Sequence, residues 1–160
     1  MKRTKPALPA RPPQLSRERR RAVYAIGGGI WLTGAAWVLL HYFFVRNGPF
    51  GPNPHPLEFW SRAAHGAFGF ASLWLFGMLW GAHVTDGWRS LRRRWTGSLM
   101  FVLFGWLVVS GYLLYYLGND GIIGATALLH WSVGLICPLP FLIHRSAGTS
   151  KKEARVSRAG

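Results

Sequence analysis

The sequence predicts an all-α integral membrane protein, a four-helix bundle with up-down topology and both termini in the cytoplasm. Half of its 160 residues are hydrophobic, and nine Trp and ten Phe stand against five acidic residues. A helix needs about 20 apolar residues to cross a hydrocarbon core. Four runs reach that length and are predicted to be helical, because a lipid-exposed backbone must satisfy its own hydrogen bonds. These runs are 23–45, 59–84, 96–117 and 122–143, within one domain at 22–145.

The distribution of basic residues predicts the orientation. Of 19 Lys and Arg, eight lie in 1–21, four in the middle loop and five from Arg145 onward, whereas the opposite side has only Arg46 and Arg62. Short cytoplasmic loops carry the excess of Lys and Arg, so both ends and the middle loop are expected to be cytoplasmic. The segment 1–21 is predicted to be a disordered arm, since it has no apolar centre or cleavage site of a signal peptide, and 146–160 a basic tail.

The net charge of +14 is explained by this topology and by attraction to anionic lipid headgroups. No aromatic residues interleave with the basic ends, so we expect no nucleic-acid partner. The single cysteine, Cys137, lies inside the fourth predicted helix and excludes an intrachain disulfide or a thiolate cluster. No acidic or basic residue lies deep within the predicted spans, where a transporter would need one to bind an ion.

Paired histidines are the feature that points to chemistry. His65 and His83 are eighteen residues apart, which is five full helical turns, and His130 and His144 are fourteen apart, close to four turns. Each pair therefore shares one helix face and spans about 27 or 21 Å along the axis. Because the second and fourth helices both run inward, His65 is expected to face His130 near the outer surface, and His83 to face His144 near the inner surface.

Two other histidines lie outside these pairs. His41, near the outer end of the first helix, is a further ligand candidate that competes with His65 or His130. His55 lies in a proline-rich loop and is expected to be solvated.

Facing imidazoles in a bundle core are the arrangement that ligates haem iron from both sides. We therefore predict haem b, one or two per chain. Small residues beside the ligands would let a flat macrocycle lie against the backbone, and the middle-loop arginines would pair with haem propionates or lipid headgroups. The predicted packing residues are Gly69, Gly77, Gly81 and Gly134, and the arginines are Arg89, Arg92, Arg93 and Arg94.

Over 30–145 the sequence resembles the small four-helix di-haem cytochrome b proteins of bacterial membranes, including the cytochrome b subunits of formate dehydrogenases and nickel-iron hydrogenases. The likeness is strongest in HWSVGLICPLPFLIHR, where that family places two axial histidines fourteen residues apart, here His130 and His144. AHGAFG around His65 resembles the second-helix ligand motif, and FGWLVVSGYLLYY the third helix. The eighteen-residue gap between His65 and His83 is longer than the family spacing, so tilt, a kink at Pro138 and Pro140, or a single haem must accommodate it.

The resemblance implies a multi-pass protein of the bacterial inner membrane that carries electrons as a subunit and is not a complete enzyme. Its expected partners are the lipid bilayer, a redox subunit or small redox protein, and a quinone. The alternative is a cofactor-free membrane scaffold or assembly protein. In that case the histidines cap helix ends and hydrogen-bond between helices, and His41, His83 and His144 are interfacial polar residues.

Overall fold

The computed structural model describes residues 15–49, 51–85 and 94–146. This part of the chain is mostly helical. Its elements, in chain order, are α1 (Arg17–Phe43), β1 (Arg46–Gly48), β2 (Gly51–Asn53), α2 (Pro56–Leu79) with a π-helical turn at Trp80–Val84, α3 (Arg94–Tyr116), α4 (Asp120–Ile136) and α5 (Pro138–Ser146).

Polar capping residues set the first residue of three helices. The side chains of Ser16, His55 and Asn119 each accept a hydrogen bond from a backbone N–H in the first turn of α1, α2 and α4. Such caps satisfy donors that have no partner within the helix. Each helix therefore begins before the apolar run that predicts it. His55, expected to be a solvated loop residue, is half-buried and caps α2, with Pro56 at the first helical position.

A short hairpin occupies the loop between α1 and α2, where the sequence analysis expected only polar loop. Arg46 pairs with Asn53 and Gly48 with Gly51 in an antiparallel ladder. Gly51 has a φ of 112°, a conformation that glycine adopts without a steric penalty. The hairpin joins the C-terminal end of α1 to the N-terminal end of α2.

Three helical segments are long and apolar enough to cross a membrane by length and composition: α1, α3, and α4 continued by α5 as Asp120–Ser146. The second helix, which the sequence also predicts to cross the membrane, is 24 residues long but does not meet this criterion. Its N-terminal turns contain Glu58, Arg62 and His65, which lower its hydropathy. The described helices carry many exposed large apolar side chains, such as Phe70 at 77% exposure, as a lipid-facing surface would.

The fourth span is interrupted at Cys137, between α4 and α5. Pro138 has no N–H to continue the helical ladder, so the break falls where the prolines predict a kink. Trp31 of α1 donates its indole N–H to the carbonyl of Leu135 at 3.2 Å, just before the break. This bond joins the first and fourth spans.

The helices pack in a defined order. α1 packs along α2 and also contacts α4, while α3 packs against α4 and α5. The rings of Phe76 on α2 and Phe104 on α3 stack with centroids 4.7 Å apart. Gly29 of α1 lies directly against the Phe68 ring of α2, so the closest approach of these two helices depends on the missing side chain.

We expect Gly29→Ala to destabilise the bundle and Gly28→Ala to stabilise it. A Cβ at position 29 would overlap the Phe68 ring, whereas one at position 28 would meet no atom within 4 Å. Overpacking of this kind costs about 1–3 kcal/mol, while Gly→Ala in an open helical position is worth up to about 1 kcal/mol. Thermal unfolding of both variants in the same detergent measures the difference. Equal melting temperatures would contradict the predicted contact.

Candidate cofactor site

Two imidazole rings meet between α2 and α4. The ring centroids of His65 and His130 are 6.2 Å apart, and the ring planes are nearly perpendicular, at 83°. Both side chains are half-buried. The structure thus brings together the two histidines that the sequence analysis expects to face each other near the outer surface.

The Nδ1 atom of His65 is held by α1. It lies 2.9 Å from the backbone carbonyl oxygen of Ile30 and 3.3 Å from the hydroxyl oxygen of Thr33. A carbonyl oxygen only accepts, so we assign the ring proton to Nδ1. The Thr33 hydroxyl donates to the carbonyl of Gly29 at 2.7 Å, which leaves its oxygen free to accept as well.

The Nδ1 atom of His130 is held by α3. It lies 2.8 Å from the hydroxyl oxygen of Ser110, which itself lies 2.6 Å from the carbonyl oxygen of Trp106. Ser110 has one hydroxyl proton, and the carbonyl of Trp106 can only accept it. The His130 ring must therefore donate its Nδ1 proton to Ser110. Ser110 is fully buried, so water does not compete for this bond.

Both rings are thereby fixed in the same tautomer. With the proton on Nδ1, the lone pair of each ring is on Nε2, and neither Nε2 has a hydrogen-bonding partner in the part of the chain that the structure describes. Metal-ligating histidines characteristically donate their other ring N–H to a fixed acceptor, which orients the ring and raises its basicity. His65 and His130 therefore offer two neutral, oriented imidazoles as possible metal ligands.

Two glycines that the sequence analysis did not single out lie beside these rings. A Cβ at Gly34 would be 2.9 Å from Cε1 of His65, and one at Gly111 would be 3.3 Å from Cε1 of His130. A side chain at position 34 would therefore overlap the His65 ring, and one at position 111 would be in tight contact with the His130 ring. The four predicted packing glycines lie elsewhere: a Cβ at Gly69, Gly77 or Gly81 would meet nothing within 4 Å, and one at Gly134 would approach Leu107. Their role beside a cofactor stays a prediction.

A third histidine has the same kind of neighbours. Nδ1 of His144 lies 2.9 Å from the hydroxyl oxygen of Thr96, and a Cβ at Gly97 would be 4.0 Å from Cε1 of His144. Each of the three rings thus lies against a hydroxyl residue followed by glycine on a neighbouring antiparallel helix. We call these dipeptides hydroxyl-glycine pairs: Thr33-Gly34 for His65, Ser110-Gly111 for His130 and Thr96-Gly97 for His144.

The two pairs on α3 repeat at the spacing of the histidines that they contact. Fourteen residues separate Thr96 from Ser110, and fourteen separate His130 from His144. The sequence analysis includes only one of these two dipeptides, the Ser-Gly of FGWLVVSGYLLYY, as part of the stretch that resembles the family's third helix. A Thr-Gly or Ser-Gly dipeptide at the histidine spacing was the signal that would have found both pairs.

The inner pairing of His83 with His144 stays a prediction. The side chain of His83 lies outside the described residues, as do Arg89, Arg92 and Arg93, while Arg94 is exposed at the first residue of α3. The backbone at His83 belongs to the π-helical turn. A π-turn has more residues per turn than an α-helix, so the count of 100° per residue that placed His83 on the face of His65 does not hold there.

His41 has a different environment from the facing pair. Its Nδ1 lies 3.0 Å from Oε1 of Glu58, and its ring stacks on Trp37 at a centroid distance of 4.7 Å. Glu58 is buried, and its Oε2 has no partner within the described residues. The sequence analysis placed Glu58 outside the second helix and missed this pair. His41 is seven residues beyond Gly34, and Glu58 seven before His65, so the hydrogen-bonded pair of His41 and Glu58 lies two helical turns, about 10 Å, from the His65 ring along the helix axis.

No group of three or more His, Cys, Asp or Glu side chains in the described ranges is arranged to hold a metal ion. Comparison of the chain with family models, curated proteins and solved structures finds no match. The site's own geometry is therefore the basis for a functional proposal.

Proposed function

We propose that this protein is a b-type cytochrome of the bacterial inner membrane, which binds one or two bis-histidine haems and transfers electrons across the membrane to or from a redox subunit, a small redox protein or a quinone. The observation that carries the proposal is the facing pair of His65 and His130, with centroids 6.2 Å apart and each Nδ1 committed to an acceptor.

The donor set fits haem iron. Metal–imidazole bonds are about 2 Å long, so two rings that ligate opposite sides of one ion have centroids about 6 Å apart. The separation of His65 and His130 agrees with that value. Neutral imidazole is the axial ligand of b-type haem, and both rings have an Nε2 lone pair available for it.

A bound haem supplies a one-electron iron centre, and the chain supplies its binding and orientation. His65 and His130 would hold the iron through Nε2, while Ile30 and Ser110 fix the two rings from behind. Two protein ligands leave no iron position open to oxygen. Electrons would enter and leave through a partner protein or quinone.

The charge asymmetry supports transport across the membrane. With both ends inside, His65 and His130 lie toward the outer surface and His144 toward the inner one. His144 rests against the third hydroxyl-glycine pair, and this likeness supports a second haem site with His83 as the expected opposite ligand. Two sites at these depths would relay electrons between the two faces.

The cofactor-free scaffold is the second candidate, and one observation favours it. The hydrogen bonds to Ile30, Ser110 and Thr96 give each imidazole a partner without any ligand, as a structural histidine in a membrane bundle requires.

A reduced-minus-oxidised visible spectrum of the full-length protein in detergent, with haem extracted and counted per chain, separates the two candidates. We expect sharp low-spin b-type bands and one or two haems per chain. Two haems would support both the outer and the inner site, and one would restrict the proposal to His65 and His130. A colourless protein after expression with ample haem would overturn the cytochrome and leave the scaffold.

A further inference from the structure

We infer that Ser110 is the positioning residue of the facing pair: it keeps the proton of His130 on Nδ1 and so keeps Nε2 available as a ligand. This inference rests on the proposed function. The position of the His130 proton then depends on one side chain, that of Ser110. The His65 proton does not depend on a side chain in this way, because its acceptor is a backbone carbonyl that no substitution removes.

The geometry around Ser110 leaves its hydroxyl one role. Its proton is directed to the carbonyl of Trp106 at 2.6 Å, and its oxygen is 2.8 Å from Nδ1 of His130. It is the one fully buried side chain in the described part of the chain. No other acceptor for Nδ1 of His130 is found among the described residues. Without Ser110, that proton has no fixed partner on α3.

His65 differs in this respect. The carbonyl oxygen of Ile30 is 2.9 Å from its Nδ1, closer than the hydroxyl oxygen of Thr33 at 3.3 Å. If Thr33 loses its hydroxyl, the backbone acceptor remains and the tautomer is unchanged. The Thr33 hydroxyl is therefore not needed to keep the His65 proton on Nδ1, whereas the Ser110 hydroxyl is needed to keep the His130 proton there.

Loss of the Ser110 hydroxyl should act on the ligand in two ways. The His130 ring can move its proton to Nε2, the atom that binds iron, and the remaining Nδ1-protonated population loses the acceptor that raises its basicity. Removal of such a partner typically reduces metal affinity by about 10–100-fold. A less basic ligand stabilises ferric iron less, so the midpoint potential of the haem should rise.

The test compares four variants of the full-length protein in detergent. Ser110→Ala removes the hydroxyl, Ser110→Thr restores one, and Thr33→Ala removes the secondary hydroxyl. Ser72→Ala is the matched control, because the Ser72 hydroxyl also donates to a carbonyl of its own helix, that of Gly69 at 2.7 Å, and makes no hydrogen bond to a histidine among the described residues. If Ser110→Ala does not fold, Ser110→Cys replaces it, since a thiol is a weak acceptor.

Three quantities are measured: haem affinity, haem midpoint potential, and the tautomer of His130 from imidazole 15N chemical shifts in the haem-free protein. For Ser110→Ala we expect about 10–100-fold weaker haem binding, a raised potential and a shift of the proton toward Nε2. Ser110→Thr should restore all three, Thr33→Ala should change each of them much less than Ser110→Ala does, and Ser72→Ala should match the parent protein.

A Ser110→Ala protein with the parent tautomer and affinity would overturn the inference, and so would an equal loss in Thr33→Ala. Absence of haem from every variant would overturn the proposed cytochrome instead. The tautomer measured without haem would still decide the role of Ser110.

Discussion

Replacing His130 by Ala should remove one haem per chain, and replacing His65 by Ala should remove the same haem. Each ring contributes one of two facing donors 6.2 Å apart, and one remaining imidazole cannot hold the iron from both sides. The measurement is haem per chain after purification, with the reduced-minus-oxidised spectrum of the remainder. The double variant should lose no more haem than either single variant, because both residues serve one site.

His55→Ala and His41→Ala are the controls. His55 caps α2, so its loss should cost about 1 kcal/mol of stability but leave the haem in place. His41 is bonded to Glu58 and stacked on Trp37, away from the facing pair, and its loss should also leave the haem content unchanged. Full haem in His130→Ala, or loss of haem in His41→Ala, would contradict the assignment of His65 and His130 as partners.

Gly34→Ala should weaken haem binding although the variant side chain is a single methyl group. A Cβ at position 34 would be 2.9 Å from Cε1 and 3.1 Å from Nδ1 of His65. The ring cannot retreat freely, because its Nδ1 is bonded to the carbonyl of Ile30. Overpacking costs about 1–3 kcal/mol, and we expect the displaced ring to lower haem affinity at least tenfold.

Gly66→Ala is the matched control for this variant. Gly66 is the residue after His65, and a Cβ there would meet no atom within 4 Å. It should bind haem as the parent does, with equal or slightly higher helix stability, since Ala is the better helix former. If both variants bind haem equally well, the ring of His65 is not confined by α1. Haem titration of the two proteins, with helicity checked by circular dichroism, decides between these outcomes.

Periodicity in the sequence predicted the helices and the facing pair because both depend on local geometry. The spacing of apolar runs gives the helices, and the phase and direction of two helices bring His65 opposite His130. The residues that hold those rings belong to neighbouring helices. Ser110 and Gly111 become partners of His130 only through the register of α3 against α4. Counting residues along one helix cannot predict that register.

Departures from regular helix geometry explain other differences. The π-helical turn at Trp80–Val84 changes the rotation per residue before His83, so the spacing of His65 and His83 is no longer five regular α-helical turns, and the pairing of His83 with His144 stays a prediction. Glu58 was read as loop because it precedes the apolar run, yet the cap at His55 extends α2 back over it. This extension puts a carboxylate beside His41. A capping signal at His55 and Pro56 would have predicted that helix start.

Thr96 and Ser110 on α3 have the same fourteen-residue spacing as His144 and His130, the two histidines that they contact. Thr96 and Ser110 are rigidly joined by one helix, about 21 Å apart along its axis, and each contacts one histidine of the fourth span. If α3 slid along its axis, both contacts would move in the same direction. A shift of α3 therefore cannot change the position of one histidine ring without affecting the other. Both contacts are made although the break between α4 and α5, at Cys137, lies between the two rings.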